Sequence, residues 1–182
     1  MAVGDYAPGP ALAANVEKDG DRWTLILVRE LRHPPEKVWQ ALTDPAHLRE
    51  WAPFDADTSL AEPGPVRLTW VGTGRTMEAR VTRAEAPGRL ECGDMRWELE
   101  PTGSGTRLRL WHRIDRRFVA WGAAGWHICL DVLHRLLAGA PVERRAGSAA
   151  MQLKDWQRLS GEYAEQFGVE NPGSQAQAAQ KS

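Results

Sequence analysis

The chemistry this 182-residue sequence could perform rests on its five histidines, two cysteines and nine tryptophans. His127, Asp131 and His134 fall at i, i+4 and i+7, so on a helix they share one face. That spacing could orient an imidazole with a carboxylate or offer ligands to a metal. It more commonly makes a polar flank facing water, and no second cluster completes a metal site, so none is expected. His112 belongs to a different pattern. It has the strand parity of Leu108, Leu110 and Ile114, so where they point inward it does too. A histidine there is ordinarily a hydrogen-bonded core residue. In a pocket it would be a polar anchor or a general base. His112, His127 and Asp131 are therefore the candidate catalytic groups.

Nine tryptophans against two tyrosines and three phenylalanines is an unusual balance. Trp70, Trp97 and Trp126 fall on faces read as inward. With Met77, Ala79, Leu110 and His112 they form the candidate ligand-binding set. Indole donors there would select a carbonyl or hydroxyl on a mostly apolar ligand. The alternative is a filled core. Trp39 and Trp51 are assigned to packing of short helices, and Trp111 and Trp121 to an exposed or interface position.

Other features exclude more than they assign. The formal net charge of −1 gives no global basic field, so nucleic acid is not expected as a partner. Arg107, Arg109, Arg113, Arg116 and Arg117 read as a solvated ridge paired with Glu98 and Glu100 across a sheet. Cys92 and Cys129 form no CxxC pair and are expected to be reduced and buried, which fits a cytoplasmic compartment. No signal peptide is apparent, and no apolar run approaches the ~20 residues that span a bilayer. Gly72-Thr73-Gly74 lies in a hairpin rather than before a helix, and no GxSxG or HExxH run occurs. No cofactor is expected.

Residues 22–31 alternate as a strand. Pro34-Pro35 then suits the first turn of a helix, and Thr43 or Asp44 caps a second short helix opened by Pro45. From Pro65 to Asp115 short alternating runs separated by glycine turns predict an antiparallel meander with one apolar face. Residues 119–138 give a helical stripe of Gly122, Trp126, Cys129, Leu133 and Leu136, ended by Gly139-Ala140-Pro141. Met151, Trp156, Leu159, Tyr163 and Phe167 give another. Residues 1–20 read as a loose lead-in, 21–168 as one domain, and 169–182 as a disordered tail.

This order of pieces resembles the START-like (SRPBCC, Bet v 1-like) superfamily, and more narrowly the bacterial relatives of the heat-shock ATPase activator domain. The pieces are Arg29, His33 to Trp39, Ala41 to Pro45 with Trp51, Trp97-Glu98-Leu99, Gly105 to Leu108, and Gly125-Trp126-His127 with Leu130 and Leu133. Trp156, Leu159 and Tyr163 complete it. The resemblance implies an α+β helix-grip fold: a curved antiparallel sheet wrapped around a long C-terminal helix, with two short helices after the first strand. It implies an apolar cavity between sheet and helix but carries no universal catalytic motif. The break from Gly139 to Gly147 divides what is often a single terminal helix.

The leading reading is binding of a small hydrophobic ligand of lipid, polyketide or aromatic type. A cyclase-, aromatase- or hydrolase-like enzyme using pocket histidines is the second, and a cochaperone-like stress-response protein with a chaperone partner is the third. A homodimer stays open.

Overall fold

The computed structural model describes residues 6–171. The part of the expected tail from residue 172 on, like residues 1–5, lies outside the described residues. A three-residue strand, β1 (Asn15–Glu17), precedes β2 (Arg22–Leu31), where Leu25, Leu27 and Leu31 are buried on the parity read from the sequence. Proline, which lacks the N–H a strand needs, stops β2 and starts α1 (Pro35–Thr43). Asp44 caps α2 (Pro45–Trp51), its Oδ1 accepting the Ala46 N–H at 2.9 Å. Thr43, the other candidate cap, instead donates its hydroxyl to the Trp39 carbonyl at 2.8 Å.

The meander follows as β3 (Phe54–Ala56), β4 (Gly64–Trp70), β5 (Thr76–Glu85), β6 (Arg89–Cys92), β7 (Met95–Thr102) and β8 (Gly105–Asp115). All eight strands form one antiparallel sheet in the order β1-β2-β8-β7-β6-β5-β4-β3. Pairing of β2 with β8 joins the first long strand to the last and curls the sheet into a half-barrel. Because β1 leads, the two short helices follow the second strand rather than the first.

A single turn of 3₁₀ helix, Arg116–Phe118, leads into α3 (Val119–Leu137). The concave sheet face covers one side of α3, and α5 (Lys154–Phe167) covers another. The helix is therefore buried well beyond the single expected stripe: Ala123, Ala124, Ile128, Leu130 and Val132 are buried as well. Each fully buried Leu or Ile of this kind contributes about 1.5–3 kcal/mol.

The chain between α3 and α4 (Gly147–Met151) is pinned rather than free. Arg144 donates from Nε to the Ala52 carbonyl (2.7 Å), from Nη1 to Asp55 Oδ1 (2.8 Å) and from Nη2 to the Phe54 carbonyl (2.9 Å). Beside it Gly147, at φ +70, sits so close to β4's end that a Cβ would lie 2.3 Å from the Val71 carbonyl oxygen.

The described part of the lead-in is bound to α5. Ala11 N–H donates to Glu162 (2.9 Å), Leu12 N–H to Tyr163 Oη (3.2 Å) and Ala14 N–H to Gln166 (2.7 Å). Arg158 donates to the Pro8 and Gly9 carbonyls. The backbone makes these contacts, so the segment needs no side-chain period. That is why it reads as loose.

Candidate functional site

The residues expected from the sequence to bind a ligand divide by burial into an inner and an outer group, here called floor and rim. Trp97 and Trp126 are each 3% exposed and Leu110 is fully buried, so these three form the floor. The Trp97 and Trp126 rings meet edge to face at 5.3 Å, with Trp51 against Trp97 (6.2 Å) and Phe54 against Trp126 (6.4 Å). Such pairs contribute about 0.5–1.5 kcal/mol each beyond their burial. Trp51 also donates its indole N–H to the Ala41 carbonyl at 2.9 Å, which ties α2 to α1.

Trp70, Ala79 and His112 are half-buried and Met77 is 38% exposed, so these four make the rim. The β4–β5 register sets Val66 against Ala79 and Leu68 against Met77, which puts Met77 and Ala79 on the inward face. Trp70 Nε1 lies 3.2 Å from Met77 Sδ. The Trp70 and His112 rings are parallel within 6°, with centroids 6.1 Å apart.

His112 is the polar group of this rim. Its Nδ1 accepts the Trp126 indole N–H at 2.9 Å. A lone pair at Nδ1 places the proton of the neutral ring on Nε2. Burial pushes the imidazole pKa down to about 4; Asp94 opposes this and Arg22 adds to it. Near neutral pH the ring is therefore an uncharged donor, and Nε2–H has no hydrogen-bond partner among the described residues.

His127 and Asp131 meet as their helical spacing predicts, but in a different place. His127 is 2% exposed, shares a hydrogen between Nδ1 and Tyr163 Oη at 2.8 Å, and places Nε2 3.5 Å from Asp131 Oδ2. Tyr6 donates its hydroxyl to the same carboxylate, and Arg29 Nη2 stands 3.5 Å from the other oxygen. Burial works to raise the Asp131 carboxyl, but hydrogen bonds from His127 and Tyr6 with the Arg29 charge hold it below the usual range. Burial and Asp131 together push the Tyr6 phenol up. This cluster fastens α3 to α5, β2 and the N-terminal segment. His134 stands apart, exposed, its ring edge-on to His33 at 6.3 Å. Among the described residues no group of three His, Cys, Asp or Glu is placed to hold a metal.

The arginine ridge pairs partly as expected. Arg109 meets Glu100 at 3.5 Å, and Arg107 meets Glu30 at 2.6 Å. Glu98, although opposite Arg109 in register, turns to Arg96 at 2.8 Å on its own strand. Trp111 lies beneath the Arg96 guanidinium, and Trp121 packs on Trp156. Cys92 and Cys129 are buried free thiols, with burial pushing their pKa up to about 11 and about 12.

The family model described as Activator of Hsp90 ATPase homolog 1-like protein matches residues 32–138, more than half of the chain. The chain belongs to that family. The family lies within the SRPBCC, Bet v 1-like superfamily, as the helix grip indicates. A conserved protein of unknown function from Enterococcus faecalis superposes with a TM-score of 0.66 at 18% identity, over 87% of this chain and 92% of that one. CalU16 from Micromonospora echinospora gives 0.61 at 21% identity, over 86% and 94%. A Mesorhizobium loti protein gives 0.57 at 25% identity, over 65% and 99%. No curated protein matches the chain.

Within this helix-grip family member, sequence reasoning missed Arg29 and Tyr6. Arg29 carried a readable signal, since it interrupts the buried odd-numbered row of Leu25, Leu27 and Leu31 on β2. Tyr6 carried none, because its partner lies 125 residues away on α3.

Proposed function

We propose that the protein binds a small, mostly apolar molecule at the mouth of the grip, over Trp70, Met77 and Ala79, with His112 as its polar anchor. The observation that carries this reading is the His112 ring. It is neutral, held in one tautomer by Trp126, flanked by an indole face, and left with one donor that has no acceptor among the described residues. Such a group selects a carbonyl, phenol or ether oxygen on a flat apolar body. The same tautomer argues against a general base at this position. The one basic lone pair, at Nδ1, is taken by the Trp126 N–H, and protonating it would create the imidazolium, which this site disfavours.

A neutral aromatic ketone is a suitable probe. Calorimetry should show binding to the wild type and none to Ala79→Trp, whose indole fills the rim. His112→Phe should weaken the ketone about tenfold, by roughly 1.4 kcal/mol, and leave an aromatic hydrocarbon of equal size unaffected. Equal affinity of folded Ala79→Trp and wild type would remove the rim as the site.

A further inference from the structure

On the opposite side of the grip, β1 pairs with β2 only as far as Asn15 against Ile26. At Ala14 the chain leaves β2 for α5, and the β2 edge beyond Ile26 lies beside α3 without a covering strand. A cavity of about 380 Å³ opens there, within the size range of small-molecule sites. Leu12, Val28, Leu31 and Leu130 supply its apolar wall, and Leu12 and Val28 are among the exposed large hydrophobic residues.

Arg29 lines this cavity with a side chain only 12% exposed. Its Nη2 is used by the His127 carbonyl at 3.2 Å and faces Asp131 Oδ1 at 3.5 Å. Nε and Nη1 make no hydrogen bond to a described residue and are not sealed from solvent. A guanidinium with donors to spare in an apolar recess matches a planar anion.

Glu30, Asp131 and His134 also line the recess, and both carboxylates already have partners. Asp131 is engaged by Tyr6, His127 and Arg29 together. Glu30, on the same strand face as Val28, is held by Arg107 at 2.6 Å. Beyond the lining, Arg135 and Arg145 lie against the Tyr6 ring at 5.4 and 5.1 Å, and neither has a carboxylate within ion-pair distance among the described residues. Lys37 adds a further positive charge where it caps α3 at the Leu137 carbonyl.

We infer that this recess is a second small-molecule site, taking a carboxylate with a short apolar body: the head on Arg29, the body on Leu12, Val28, Leu31 and Leu130. It is independent of the rim at Trp70 and His112.

Hexanoate is the probe, followed by calorimetry and by the methyl NMR signals of the protein. Binding with a Kd of about 1 mM or tighter is expected, with shifts at Leu12, Val28 and Leu130 and none at Met77 or Ala79. Hexan-1-ol should bind at least about tenfold more weakly, because it cannot pair with the guanidinium. Arg29→Gln should cost about tenfold or more in hexanoate affinity. Because that change also releases Asp131, Val28→Glu is the control. It sits on the exposed rim of the recess and should weaken hexanoate by a similar factor through charge repulsion while the fold is kept. Ala79→Trp should leave hexanoate binding unchanged. Absence of binding, equal affinity for hexanoate and hexan-1-ol, or full affinity in folded Val28→Glu would each overturn the inference.

Discussion

His112 shows how a side chain readable in sequence acquires its chemistry from a distant contact. Its inward parity follows from Leu108, Leu110 and Ile114, but its tautomer is fixed by Trp126 on α3. The burial has a consequence for stability. With the folded pKa lowered to about 4 from 6.5, the unfolded chain takes up a proton that the folded protein refuses between those values. Stability at this site therefore rises with pH through that window and is lost on acidification, by roughly 3 kcal/mol across it. An NMR titration should find the His112 ring neutral at pH 6 and titrating near pH 4. A midpoint near 6.5 would mean that the ring is solvated and the indole bond absent. Arg29 teaches the converse. Its charge in an apolar row is visible, but its partners on α3, Asp131 and the His127 carbonyl, need the fold.

At the scale of elements, the strands from β4 to β8 and the helices α1, α2 and α3 were legible because each is long enough to repeat its period or carries a proline or glycine boundary. β1 and β3 have three residues each, too few for alternation to speak. Besides its pairing with β4, β3 is held by Arg144, which follows α3 in the chain. The turn beside that clamp gives a sharp test. Gly139 and Gly147 both have positive φ, +73 and +70, but only Gly147 meets backbone within 3 Å. Gly139→Ala should cost about 1 kcal/mol, the penalty of the left-handed conformation alone. Gly147→Ala should cost clearly more, about 2–4 kcal/mol, since a carbonyl must move. Urea denaturation of the two variants compares them, and equal losses would show that the approach of Gly147 to the Val71 carbonyl is not close in solution.

For the whole molecule, the sheet wraps one side of α3 while α5 and the N-terminal segment close the other. The resemblance foretold the grip. In the second layer α5 is legible from the buried stripe of Trp156, Leu159, Tyr163 and Phe167, whereas residues 6–14 are attached largely through backbone donors and show no period. This arrangement places His127 and Asp131 in the joint between layers, whereas His112 packs with Trp70 and Trp126.

The central claim is that the mouth holds a small apolar molecule. Native mass spectrometry of freshly purified wild type and Ala79→Trp, followed by denaturation and analysis of what is released, tests it most directly. The account predicts a stoichiometric, mostly apolar molecule bearing an oxygen acceptor on the wild type, and its loss from the folded variant. An apo mass for the wild type, or an adduct held equally by both proteins, would contradict it.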